Sequence, residues 1–155
     1  MIMKKLRILL MMLAAMFFIA TNVSAQEFQQ DDLLGVWLNE DEDAHIEIYK
    51  EGELYFGKTI WYKFPIDEET GKPKLDKHNP DEELQKRPSL GIQLLTDFEW
   101  DEDNEWDEGD IYDPKTGKTY SCYIVMKDYD LLKIRGFIGI SLIGKTTWWT
   151  RVKSE

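Results

Sequence analysis

From about residue 34 onward the chain is a succession of short runs rich in β-branched and aromatic residues, separated by turn signals. No apolar repeat of period 3.6 appears after the first 25 residues, so the pattern points to strands and away from packed helices. Residues 34–39 form a first short run. Residues 45–50 alternate, with Ile46 and Ile48 set against His45, Glu47 and Tyr49. Glu51-Gly52 is a turn pair, and residues 54–63 make a second long arm. Further runs occupy residues 90–100, 105–112, 120–127, 131–138 and 146–153. Asp113-Pro114-Lys115-Thr116-Gly117 is a turn in which proline presets one φ and glycine accepts a positive one. Asp128-Tyr129-Asp130 is a tight reversal, and Gly139 and Gly144 link the last two runs. The total is about eight strands with short connections.

One segment breaks the rhythm. Residues 64–88 are polar and hold four of the five prolines. Within them, Asn79-Pro80 reads as a helix cap followed by proline at the first helical position. Asp81, Glu82 and Glu83 then stand where a helix dipole favours acids, and Lys86 and Arg87 where it favours bases. A short helix from residue 80 to 87 is expected. An insertion of this length in a tight β domain is often functional.

The expected fold is all-β: a single antiparallel barrel of about eight strands, with one short helix in a long insertion loop. Closure removes exposed sheet edges, and a barrel of this strand number either fills its interior or holds one small ligand. The aromatic content favours a well-filled interior with at most a small pocket. A two-sheet sandwich is the competing architecture.

The amino terminus carries a different signal. Lys4, Lys5 and Arg7 precede an uncharged apolar run over residues 8–20, and Val23-Ser24-Ala25 closes it with small residues. This is the three-part pattern of a cleavable secretory leader over residues 1–25. As a helix the apolar run spans about 20 Å, short of the roughly 30 Å hydrocarbon core. The mature domain is then residues 26–155, exported to the periplasm or secreted, with no membrane insertion once the leader is gone.

Residues 26–155 contain all 30 acids and all but three of the 19 bases, so they are more negative than the −11 of the whole chain. That argues against nucleic acid as a partner, because phosphates demand a basic surface. It argues equally against simple electrostatic attachment to anionic lipid. Cys122 is the one cysteine, so no internal disulfide forms, and its strand-like setting suggests buried apolar packing rather than a reactive thiol.

Gly35-Val36-Trp37 on the first strand resembles the G-x-W opening of lipocalins and the wider calycin superfamily. Trp149-Thr150-Arg151 resembles the calycin closure, in which an arginine from the end of the barrel packs over that tryptophan. The resemblance implies that Trp37 and Arg151 form this structural pair. A longer series covers nearly the whole mature chain. It includes Asp76-Lys77-His78-Asn79-Pro80, Arg87-Pro88-Ser89-Leu90-Gly91, Trp106-Asp107-Glu108-Gly109 and Arg135-Gly136-Phe137-Ile138-Gly139. This order resembles the exported bacterial family called domain of unknown function 2147. It implies a calycin-like barrel and no activity.

No catalytic constellation is legible. The histidines, His45 and His78, stand on a strand and on the insertion, and no serine lies in a nucleophile-elbow pattern. Two distant histidines and one cysteine do not make a metal site, and no cofactor is implied. The acids between residues 97 and 110 lack the glycine that an EF-hand loop places at its turn, so a solvated acidic hairpin is expected. The candidate ligand-binding residues are Asp76, Asn79 and Arg87, read as the polar rim of a ligand pocket at the barrel mouth, together with Arg135, which either projects into such a pocket or lies outside in solvent. The structural alternative is local: Asn79 caps the helix, and Asp76 and Arg87 brace the loop as a salt bridge. Two functional readings follow. The first is an exported non-catalytic protein that binds a small apolar or amphipathic molecule, or a protein partner. The second is an envelope structural or interaction protein whose barrel is filled and whose partner is a protein.

Overall fold

The computed structural model describes residues 27–153; the leader expected over residues 1–25 lies outside them. Eight strands follow one another in sequence: β1 (Gly35–Leu38), β2 (Ala44–Glu51), β3 (Leu54–Tyr62), β4 (Gln93–Asp101), β5 (Glu105–Asp113), β6 (Lys118–Asp128), β7 (Leu131–Ile138) and β8 (Ile140–Arg151). Each pairs antiparallel with the next, and β8 returns to β1, so the sheet closes into an up-and-down barrel rather than a sandwich. The side-chain period of two sends alternate residues inward. On β2 these are Ala44, Ile46 and Ile48, all buried, while His45 and Glu47 face out.

The two ends of the barrel differ. One end receives the turns between β2 and β3, β4 and β5, and β6 and β7, together with a 3-10 turn at Gln30–Leu33. Aromatic side chains plug it: Trp37, Tyr55, Phe98 and Trp106 are all at most 1 % exposed, with Leu33 packed among them. The Trp37 indole N–H donates to the Leu33 carbonyl at 3.0 Å. The Arg151 guanidinium lies 4.1 Å from the Trp37 ring centroid and donates to the carbonyls of Tyr129, Leu34 and Asp32. Gly35, at φ +128, leaves the space this requires, since a Cβ there would stand 2.9 Å from Arg151 Nη1. The glycine of Gly35-Val36-Trp37 thus makes room for the cation that covers its tryptophan. The seam itself is short, with only two register pairs joining β1 to β8, Trp37 to Arg151 and Leu38 to Thr150.

Two expectations are corrected in extent. The helix expected over residues 80–87 is a single 3-10 turn at Leu84–Lys86. The ends of the insertion pair with each other: Leu75 bridges Pro88, and the Asp76 and Ser89 amides donate to the Arg87 and Lys74 carbonyls. Arg87 is extended, as the residue before a proline prefers, and within the segment side chains take backbone groups, the Asp81 amide donating to Asn79 Oδ1, the Glu83 amide to Asp81 Oδ1 and the Gln85 side chain to the Asn79 carbonyl. The last strand begins at Ile140, not near residue 146. Gly139 does turn the chain, at φ +74. Gly144 is instead a strand residue at a close approach, where a Cβ would collide with the Gly136 carbonyl and Phe137.

Candidate functional site

The opposite end is open, and a cavity of about 790 Å³ occupies it. Its origin is a taper in the inward side chains. Running from the plugged end to the mouth, β2 offers Ile48, Ile46 and then Ala44, and β7 offers Leu132, Ile134 and then Gly136. Both series end on the smallest residue they contain. At Gly136 an added Cβ would meet Ile111 at 3.2 Å and Tyr120 at 3.5 Å, so the missing side chain leaves the wall clear. The interior is therefore well filled only in its lower half. Ala44, Ile46, Leu94, Ile111, Ile134 and Trp149 form the apolar wall. Tyr62, Tyr120 and Thr147 supply hydroxyls along it. Burial raises the Tyr62 phenol above its ordinary pKa.

Four connections frame the mouth: the loop over residues 39–43, the insertion between β3 and β4, the turn over residues 114–117, and the β7–β8 hairpin. Charges of both signs stand on this rim. Lys115 pairs with Asp41 at 2.7 Å and lies 3.8 Å from Asp43. Asp113 and Asp67 accept hydrogen bonds from their own turns, at Lys115 N and Thr70 N respectively. Lys74, Lys77 and Lys145 line the opening as well.

The insertion is held over the mouth by one buried carboxylate. Asp76, with no exposure, accepts from the Arg87 Nε and Nη2 at 3.1 and 2.9 Å, from Asn79 Nδ2 at 2.8 Å, and from the Tyr112 hydroxyl at 2.6 Å. Asn79 also turns its Oδ1 to the Asp81 amide at 2.9 Å. The three insertion residues singled out from the sequence are thus brought together in one network. They form the frame of the mouth and are not part of the cavity wall, whereas His78 and Tyr112 are. The His78 carbonyl lies directly against Gly117, where any Cβ would overlap it, so the insertion also seats on the β5–β6 turn. Arg135 faces away from the cavity. It donates through Nε to the Ser141 carbonyl at 2.6 Å, through Nη1 to Thr146 Oγ1 at 2.9 Å, and through Nη2 to the Leu142 carbonyl at 3.3 Å. Its neighbours Ile134 and Gly136 take the inward positions on β7, so alternation sends it outside. The Cys122 thiol is buried and free, and burial pushes its pKa well above the usual range.

Comparison with known proteins agrees with this geometry. The profile of a family described as "Uncharacterized protein conserved in bacteria (DUF2147)" matches residues 35–151. The solved structure of protein HP1028 from Helicobacter pylori, described as belonging to the lipocalin family, is similar, with a TM-score of 0.67 and 22 % identity. The alignment covers 79 % of this chain and 84 % of that one. At this identity the likeness is one of fold. No curated protein matches the chain.

Proposed function

The chain belongs to the bacterial family DUF2147, and from that premise we propose that it is an exported, non-catalytic binding protein that takes a small apolar or amphipathic molecule into the mouth of its barrel. The tapered cavity carries the reading. Pockets for small ligands commonly measure about 300–1,000 Å³ and combine an apolar wall with a few polar points. Here the wall is aliphatic with one tryptophan, and Tyr62, Tyr120 and Thr147 are the polar points. Asp76, Asn79 and Arg87 contribute by fixing the lip of the opening. The alternative of a filled barrel with a protein partner finds less support, since the side chains at the open end line a cavity of about 790 Å³ and do not fill it. Export rests on the leader pattern over residues 1–25. Among the described residues no helix is long and apolar enough to cross a membrane.

Native mass spectrometry of the protein purified from its own host tests this. The expected result is a co-purifying small molecule that is lost on denaturation and that the Thr147→Trp variant, with its cavity blocked, no longer retains. A clean apo mass, together with no fluorescence enhancement of an apolar dye that Thr147→Trp abolishes, overturns the carrier reading.

A further inference from the structure

The β7–β8 hairpin is chemically unlike the rest of the molecule. Between Leu131 and Ser154 there is no acidic residue, although the whole chain has 30. All five charges in that stretch are positive: Lys133, Arg135, Lys145, Arg151 and Lys153. The tip of the hairpin is aliphatic. Ile138, Ile140, Leu142 and Ile143 are each more than half exposed, and Leu142 reaches 85 %. Isolated apolar side chains on a surface need no explanation, but a contiguous group at a cavity rim does.

The tip is also built to stay where it is. The register jumps from Phe137 opposite Gly144 to Ile138 opposite Ile140, so residues 141–143 leave the ladder. A bulge of this kind strands backbone carbonyls. The Arg135 guanidinium satisfies two of them, at Ser141 and Leu142, and fastens the bulge to Thr146. Backbone satisfied within the protein is what an apolar surrounding demands, because lipid offers no hydrogen bonds. Ile138 and Ile143 face two ways, being both exposed at the tip and part of the cavity mouth. Two of the tip's aliphatic side chains therefore reach the mouth of the cavity.

We infer that the aliphatic tip of the β7–β8 hairpin, Ile138 to Ile143, is a docking element that inserts into the surface of a lipid bilayer with the barrel mouth turned toward it. This hairpin carries no acid, and Lys145 stands next to the tip with the sign complementary to anionic headgroups, while the rim acids Asp41 and Asp43 are held by Lys115. The opposite, plugged end carries the acidic turns Glu51–Glu53 and Asp101–Glu105, which face away from such a surface. The inference stands on the tip and its charge setting, and it does not require the cavity to be occupied.

Co-sedimentation of the protein, expressed from residue 26 so that it carries every described residue, with sucrose-loaded vesicles tests it. Two vesicle compositions are used, phosphatidylcholine alone and phosphatidylcholine with phosphatidylglycerol. The expected result is binding to at least one composition, with the Leu142→Asp variant reducing the partition constant by about tenfold or more, the magnitude that corresponds to loss of one large buried aliphatic. Leu142 makes no core contact that would unfold the barrel, and an unchanged urea midpoint establishes that the variant is folded. Absence of binding to both vesicle types overturns the inference, as does binding that Leu142→Asp leaves unchanged. Concentration-dependent self-association that Leu142→Asp abolishes, without vesicle binding, also overturns it and assigns the tip to a second copy of the chain.

Discussion

Asp76 has no contact with water and four hydrogen-bond donors, and what each donor contributes depends on where the carboxylate is buried. Removing one donor leaves a charged acceptor short of a partner in a place where solvent does not replace it. Tyr112→Phe deletes the 2.6 Å bond and little else, so it is expected to cost about 1–2 kcal/mol in urea unfolding near neutral pH. The same bond has a pH signature. Burial, and then the hydrogen bond to Asp76, push the Tyr112 phenol up to about 12. Tyr55, buried and bonded to Asp31 at 2.6 Å, is pushed up to about 12 in the same way. A free tyrosine titrates near 10. The folded state therefore holds these two protons more tightly than the unfolded state. The stability they confer is fully present below about pH 10 and is lost as pH rises from there through about 12. Unfolding midpoints followed by circular dichroism should be flat up to about pH 9.5 and fall steeply above it. Tyr112→Phe should start lower and fall less. The Asp76–Arg87 pair was legible from sequence because both residues lie in one short insertion bounded by prolines. Tyr112 was not, since it is 36 residues from Asp76 on another strand, and only the barrel register brings the two together.

Among the elements, the β4–β5 hairpin concentrates acids of one sign on a single ladder. Glu99 stands opposite Asp107, and Asp101 opposite Glu105. Burial first, and then neighbouring carboxylates (Asp107 and Asp101 for Glu105, Asp101 and Glu108 for Asp107), raise the Glu105 and Asp107 carboxyls above their ordinary values. The sign is opposite to that of a salt-bridged acid. The hairpin is most favourable below the unfolded carboxyl range, near pH 4, and loses that advantage as pH rises and the groups ionise against one another. Asp107→Asn and Glu105→Gln should therefore raise stability at pH 7 by a few tenths to about 1 kcal/mol each, and added salt should shrink the gain. Urea titrations at pH 3 and pH 7 check this, with the difference from the parent vanishing at the lower pH, where the carboxyls are protonated in both states. The strands were largely readable because half-buried strands alternate visibly, as Ile46 and Ile48 do. The start of β8 was misplaced because Gly144 looks like a turn residue in sequence. Its role is close packing against β7, which depends on a neighbour that the local sequence does not reveal. Residues 80–87 of the insertion were read as helical from good local caps, and only a 3-10 turn formed there while the two ends of the insertion paired with each other.

At the scale of the whole molecule, every strand pairing but one joins sequence neighbours, and the exception is the two-residue seam between β1 and β8. Arg151 compensates for its brevity by bonding three carbonyls from the two segments it joins and stacking over Trp37. Arg151→Lys keeps the charge but loses the planar fork and most of the stacking, and should cost about 1–3 kcal/mol in urea unfolding. The plugged end could be anticipated from the number of tryptophans. A small pocket at the mouth was expected, but not its size or its walls, because the cavity arises from small residues, Ala44 and Gly136, that meet only when eight strands close at one particular stagger. The seam has one more consequence. Phe28 is tied to the β4–β5 turn through Asn104, Val152 to Val36, and Lys153 to Asp130, so both limits of the barrel emerge side by side at the plugged end. Fusion tags, immobilisation handles or crosslinks placed at either limit therefore sit a full barrel length from the mouth. The protein can be held from behind at both limits of its barrel while its open face stays unobstructed.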